Sequence, residues 1–159
     1  MKLAAHYTIN EQGKATKGMA LEILAQKLVR MIEMGNQIQE LAQMEFHSGV
    51  LIPAFPNTSA HWAYLLTQKD QINTPPWLQL MPNRQSNSFY LEWILAMQNA
   101  DDQFCLKDAV KIFCTELTQL LHLEDIKLQL DTPVSLWLIS GVDYHNFRLN
   151  TASKLRQLL

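Results

Sequence analysis

Apolar residues recur every three or four positions between residues 19 and 46. The series is interrupted at Gly35 and comprises Leu21, Leu24, Leu28, Met31, Ile38 and Leu41. Spacings of three and four place side chains on one face of an α-helix. The pattern therefore predicts a long amphipathic helix, kinked or split near Gly35, that buries one face against another surface.

Two later segments also predict helices. Residues 88–100 are apolar on nearly all sides, which predicts a central buried helix, and residues 106–121 form the clearest amphipathic pattern of the chain. A final helix is expected to begin near residue 151, because apolar residues recur at helical spacing up to the last residue.

Residues 126–142 fit two different structures. Ile126, Leu128 and Leu130 alternate with polar residues, which indicates a strand. The following Thr132-Pro133 pair suits either the turn of a hairpin or the start of a helix. A helix over residues 134–140 and a small β-hairpin near residues 126–139 both remain open.

Together these elements predict a mainly α-helical fold. We expect a compact single-domain bundle of five to six helices over residues 1–159, with the small β-hairpin as an open addition and α+β as the second choice. Residues 1–15 are expected to form a flexible arm or an edge strand. No repeat or long linker divides the chain.

The composition is that of a globular chain with a substantial core, because 48% of the 159 residues are hydrophobic. A net charge of −2 gives little electrostatic attraction to nucleic acids or anionic membranes. No apolar run is long enough to span a membrane. Two cysteines without a CxxC spacing indicate reduced core thiols, so a cytoplasmic location is expected.

The sequence offers no clear chemistry. The glycine-rich phosphate loops, the dinucleotide fingerprint and the zinc-binding HExxH motif do not occur in it. None of the five histidines is three or four positions from another histidine or a cysteine. We therefore expect no catalytic residues, no metal and no cofactor, and we consider an enzyme less favoured than a binding protein.

The leading functional prediction is a non-catalytic protein-interaction module, such as an adaptor, a secretion-chaperone-like protein or a regulatory subunit. If residues 19–46 form one unbroken helix, its length is about 42 Å at ~1.5 Å rise per residue. Such a helix is longer than a core of this size needs, so part of its apolar face is expected to contact another chain. The expected interaction face comprises Leu24, Leu28, Met31, Ile38 and Leu41. Its partner is another protein or a second copy of the chain, as in a homodimer.

Two alternatives come from other residues. Residues 133–156 resemble a helix-turn-helix around Gly141, which would direct His145, Asn146 and Arg148 toward DNA bases. Trp137 occupies a position where that motif usually needs a small residue, so nucleic-acid binding is disfavoured. The second alternative is an apolar pocket for a small ligand or an enzyme substrate, lined by Phe55, Trp62 and Trp77.

Overall fold

A mixed β-sheet of seven strands forms the centre of the protein. The computed structural model describes residues 1–34, 43–55, 62–82 and 89–159. The strands are β1 (Lys2–Ile9), β2 (Ala15–Lys17), β3 (Met19–Leu24), β4 (Lys27–Glu33), β5 (Met44–Pro53), β6 (Leu136–Ser140) and β7 (Lys154–Gln157).

The strands follow the order β4-β3-β1-β5-β6-β7 across the sheet, and β2 pairs with the second half of β1. The β1–β5 pair is parallel, and the other pairs are antiparallel. Residues 1–15, expected to form a flexible arm or an edge strand, thus supply β1, which lies between two other strands.

The helices in the described ranges are α1 (Trp62–Lys69), α2 (Pro76–Gln79), α3 (Phe89–Ala100), α4 (Leu106–Lys111), a π-helical segment (Ile112–Leu117) and α5 (Thr118–Leu120). The last three are continuous along the chain. The predicted helices over residues 88–100 and 106–121 are thereby confirmed, apart from residue 88, which lies outside the described residues. No helix among the described residues is long and apolar enough to cross a membrane.

The predicted bundle of five to six helices is wrong, because the fold is mixed α/β with a large sheet. The long helix over residues 19–46 is wrong as well, since β3, β4 and the start of β5 occupy the described part of that range. The final helix is replaced by β7. The hairpin near residues 126–139 does not form, because β6 pairs with β5 and β7 instead.

The β3–β4 hairpin explains why the helical pattern misled. Its turn is at Ala25 and Gln26, whose φ angles are 51° and 63°. Two consecutive positive φ angles reverse the chain in a turn that matches the twist of the flanking strands. In β3, Leu21 and Ile23 are buried on one face while Leu24 is exposed, as strand periodicity requires and helix periodicity does not.

The sheet curls, and its concave face holds a core of its own. The Leu28 N–H of β4 donates to the Thr132 carbonyl at 3.1 Å, and β6 begins four residues later at Leu136. Val134, two residues before β6, also donates its N–H to the Gln26 carbonyl next to β4 at 3.0 Å. Two extended residues and one hydrogen-bonded pair together span at most ~12 Å, whereas β4 and β6 would be ~19 Å apart in a flat sheet. Curling lets both strands share one buried cluster, which comprises Leu3, Ala5, Leu21, Ile23, Leu28, Leu51, Leu128, Leu136 and Leu138.

The convex face carries the larger core, beneath the helices. Val50, Ile52 and Ile139 of the sheet pack there against side chains from α2, α3, α4 and the π-helical segment. Trp93 and Phe113 are both completely buried, with ring centroids 4.4 Å apart. The two cores cover much of the sheet, whereas most of β4 and the first half of β5 stay exposed.

Candidate functional site

Three segments lie side by side around the β3–β4 turn, and we call this surface the hairpin end: Met1, residues 24–28 and residues 130–134. The Met1 ammonium donates to the Ile23 carbonyl at 3.0 Å, and the Ile23 N–H returns a bond of 2.7 Å to the Met1 carbonyl. On the other side, the Asp131 N–H donates to the Leu28 carbonyl at 2.8 Å. Backbone pairing therefore fixes the three segments against one another.

Large apolar side chains are exposed at the hairpin end. Met1 is 55% exposed, Leu24 is 68% exposed and Leu130 is 46% exposed. Single exposed apolar residues are ordinary on protein surfaces, but several at one place mark a contact surface. The alternation of β3 accounts for the most exposed member, because Ile23 points into the concave core and Leu24 must point away from it.

The hairpin end also carries charges of both signs. Lys27 and Asp131 are exposed, and the chain near them is joined by the Lys27–Pro133 bridge and by the Asp131–Leu28 hydrogen bond. Neither side chain forms an ion pair with another described residue. Both charges are consequently available to groups outside the described chain.

A cleft of about 410 Å³ adjoins the hairpin end. It is lined by Pro53 and Ala54, at the end of β5, and by residues 124–129 and 132–135. The backbone N–H and C=O groups of residues 124–127 make no hydrogen bond to another described residue. Because backbone polar groups require partners, these groups are open to water or to a bound molecule.

Two histidines form polar contacts elsewhere on the sheet. The His6 Nδ1 atom is 3.3 Å from the Gly49 N–H nitrogen and 3.1 Å from the Tyr144 hydroxyl. His47 lies between Arg156, at 3.2 Å from Nδ1, and Glu45, at 3.6 Å from Nε2. Neither group lines the cleft, and no three potential metal ligands converge within the described ranges.

The predicted interaction face is divided by the hairpin. Leu24 lies at the hairpin end, Leu28 is completely buried in the concave core, and Met31 is 38% exposed on β4. Ile38 and Leu41 lie outside the described residues. The five positions therefore do not form one helical face, because the helix that would align them is absent.

The predicted aromatic pocket falls largely within the core. Phe55 is buried, with its ring 4.5 Å from that of Phe113, and Trp77 is buried in the same cluster. The Trp77 carbonyl accepts a hydrogen bond of 2.8 Å from the Trp93 indole. Trp62 begins α1, and its side chain lies outside the described part of the structure.

The predicted helix-turn-helix is wrong. Residues 133–156 form β6, a loop and the start of β7, with no helix among them. His145 and Asn146 are exposed in that loop. Arg148 is half-buried, and its guanidinium donates to the Asp102 carbonyl at 2.6 Å and to the Phe104 carbonyl at 3.1 Å.

Sequence reasoning missed Met1, Lys27, Leu130 and Asp131 as surface candidates. The contact between residues 28 and 131 joins segments far apart along the chain, and no local pattern reports it. The apolar alternation from Ile126 to Leu130 was a partial signal, since it indicated an extended segment with one buried face, and Leu128 is indeed buried.

No protein-family model matches this chain, and neither a curated protein nor a solved structure is similar enough to it to count as a match.

Proposed function

We propose that this chain is a non-catalytic protein-interaction module that binds its partner through the hairpin end. The observation that carries the proposal is the exposure of Met1, Leu24 and Leu130 on three adjoining segments around the β3–β4 turn. Removing such side chains from water is the main favourable contribution to most protein association. Adaptor, secretion-chaperone-like and regulatory-subunit roles all use a surface of this kind.

The rigidity of the hairpin end supports the same proposal. Hydrogen bonds hold its segments to the sheet, including a 3.0 Å bond from the Val134 N–H to the Gln26 carbonyl. A surface that is already ordered loses little conformational entropy when a partner binds. The buried, free thiols Cys105 and Cys114 support a cytoplasmic location for this module, because cytosolic proteins keep their thiols reduced.

A second candidate function rests on the cleft. Its volume of about 410 Å³ lies in the range of small-molecule sites. The open backbone groups of residues 124–127 offer donors and acceptors to a polar ligand. The hydroxyl oxygens of Thr132 and Ser135, whose protons are donated to backbone carbonyls, offer further acceptors. A ligand bound there would raise the melting temperature of the protein in a concentration-dependent manner.

The test of the interaction proposal compares two aspartate substitutions. Leu24→Asp introduces a charge at the hairpin end, and Ile72→Asp introduces one at a 91%-exposed apolar residue in the turn after α1. We expect chemical cross-linking in native lysate to yield a defined adduct with wild type and with Ile72→Asp, but not with Leu24→Asp. Circular dichroism establishes that both variants are folded.

Equal cross-linking by all three proteins would overturn the proposal, since it would show that the hairpin end is not the contact surface. Loss of the adduct in both variants would overturn it as well, because the effect would then follow from added charge rather than from position.

A further inference from the structure

We infer that the cleft binds an extended peptide segment, whose backbone pairs with the two stretches of chain that line the cleft. This inference rests on the second candidate function, the cleft as a ligand site, and names the class of ligand. We call the two stretches the first arm, residues 124–129, and the second arm, residues 132–135.

The two arms lie on either side of the cleft without pairing to each other. Residues 130 and 131 form the turn between them, and the φ angle of Asp131 is 63°. Within the described chain, no backbone hydrogen bond joins the first arm to the second arm. The cleft of about 410 Å³ therefore lies between two stretches of chain that a turn brings side by side but leaves unpaired.

The second arm directs unpaired backbone groups toward the cleft. The Thr132 carbonyl and the Val134 N–H form their hydrogen bonds on the side of β4. Successive residues of an extended chain direct their polar groups to opposite edges. The Pro133 carbonyl and the Ser135 N–H therefore point to the other edge, where Ala54 lines the cleft. Neither group has a hydrogen-bond partner among the described residues.

The first arm presents a similar row of unpaired groups. Ile126 is half-buried, Lys127 is exposed and Leu128 is buried, which is the alternation of an extended chain with one face on the protein. The Leu128 N–H donates to the Glu11 carboxylate at 3.1 Å. The backbone groups of residues 124–127, without partners in the described chain, then extend over roughly 13 Å.

A peptide strand is the ligand whose polar groups match both arms. Each of its residues carries one N–H and one C=O, and successive residues direct them to opposite sides, so one strand offers hydrogen bonds to both arms. A small molecule with few polar atoms would satisfy only part of the two rows. Ile126, Leu128 and Val134 also line the cleft and give alternate side chains of the peptide an apolar surface.

Glu124 and Asp125 indicate the charge of the peptide. Both residues are exposed and line the cleft, at the end of the first arm that is farther from the turn. Neither forms an ion pair with another described residue. A lysine or arginine at that end of the peptide would face two carboxylates, and Lys127 supplies only one opposing charge. The expected ligand is therefore an extended peptide with a basic residue.

The experiment follows the backbone amide NMR signals of the whole chain during titration with a blocked hexapeptide. The peptide alternates valine and threonine between two terminal lysines, so either orientation places a basic side chain beside the acidic pair. We expect saturable shifts in the signals of both arms. The same peptide with its interior amide nitrogens methylated cannot donate the hydrogen bonds, and we expect it to bind at least about tenfold more weakly.

Charge reversal in the protein tests the acidic pair. We expect Glu124→Lys combined with Asp125→Lys to weaken binding of the lysine peptide by on the order of tenfold, and to strengthen binding of a peptide with glutamates in place of the lysines. The matched control is Glu116→Lys, at an exposed acidic residue of the π-helical segment that does not line the cleft. That variant should bind both peptides as wild type does.

The absence of shifts in the arms overturns the inference, and so does equal binding of the methylated peptide. Unchanged binding by the charge-reversed variant overturns the role of the acidic pair. The second candidate function is tested separately by the melting temperature. A polar small molecule that raises it, in a protein that binds no peptide, would leave the cleft as a ligand site and remove the strand pairing alone.

Discussion

The side chain of Gln98 and the backbone of Leu149 form a closed pair of hydrogen bonds inside the protein. The Gln98 amide nitrogen donates to the Leu149 carbonyl at 2.9 Å, and its oxygen accepts from the Leu149 N–H at 2.8 Å. Gln98 is only 4% exposed. One side chain of α3 thereby satisfies both polar groups of a backbone position in the loop between β6 and β7.

Replacing Gln98 with methionine keeps the length of the side chain and removes both hydrogen bonds. We expect the free energy of unfolding to fall by about 3 kcal/mol, because the Leu149 N–H and carbonyl stay buried without partners. Urea denaturation measures the change. Asn99→Ala, at the next and exposed position of α3, is the control and should stay within about 0.5 kcal/mol of wild type. A Gln98→Met protein as stable as wild type contradicts this account.

Arg148 connects the same loop to the end of α3, so its replacement should act on stability. Its guanidinium donates to the carbonyls of Asp102, Phe104 and Gln98, which follow or end the helix. We expect Arg148→Ala to lower the free energy of unfolding by about 2 kcal/mol. Arg148→Lys should recover less than half of that loss, because an ammonium cannot reproduce the fork of the guanidinium.

Thermal melting and filter binding to duplex DNA together assess the role of Arg148. His145→Ala, in the exposed part of the loop, serves as the control and should melt as wild type does. An Arg148→Ala variant that melts as wild type does but no longer retains DNA would contradict this structural role and would support nucleic-acid recognition by Arg148.

Helices α3 and α4 were predictable because their apolar residues recur at helical spacing over several turns. Buried residues of α3 include Phe89, Trp93, Ile94 and Met97, which recur at helical spacing. A strand of that length with apolar residues on all sides would be unusual in a small domain. Local pattern and tertiary packing agree here, so the sequence alone was sufficient.

The β3–β4 region was not predictable in the same way, because its residues satisfy both periods. Leu21, Leu24 and Leu28 have helical spacing, yet residues 19–23 also alternate between faces of a strand. The deciding element was the turn at Ala25 and Gln26. Neither residue is typical of a hairpin turn, so nothing in the sequence marked the reversal.

Of the exposed residues in the candidate site, only Leu24 was predicted from the sequence, and that prediction assumed a long helix that does not form. The hairpin end depends on the contact of β4 with residues 131–134, and that contact depends on the curl of the sheet. This long-range contact determines which apolar residues remain exposed. Leu28 is covered by it, whereas Leu24, four positions away, is not.

The hairpin turn should be open to stabilisation. Ala25 and Gln26 adopt positive φ angles that cost a residue with a side chain about 1 kcal/mol. Replacing the pair with Asn-Gly, which favours this turn, should raise the free energy of unfolding by about 1 kcal/mol. Ala25→Val should lower it by a similar amount, because a β-branched residue disfavours positive φ. Guanidinium denaturation at one fixed protein concentration measures both, and effects of the reverse sign would contradict the turn geometry.

Cys114 should make stability depend on alkaline pH. Burial raises the pKa of its thiol from 9.0 to about 12, and the nearby Glu11 carboxylate adds to the shift. Between these values the unfolded thiol releases its proton and the folded thiol keeps it. The contribution to the free energy of unfolding is therefore complete below pH 9.0 and declines above it, by up to about 1.4 kcal/mol per pH unit.

Replacing Cys114 with alanine separates the contribution of its thiol to the free energy of unfolding from that of other groups that titrate at alkaline pH. Cys114→Ala is expected to be less stable than wild type at pH 8 by about 1 kcal/mol, because a buried sulfur is lost. That difference should shrink above pH 9.0 and reverse before pH 11, since only wild type contains the thiol and loses stability as the pH rises. The control is Val110→Ala, a fully buried truncation in α4 without a titrating group, whose difference from wild type should stay constant. Urea denaturation across this pH range measures both differences, and parallel curves for Cys114→Ala and Val110→Ala would show that the thiol ionises equally in the folded and unfolded chains.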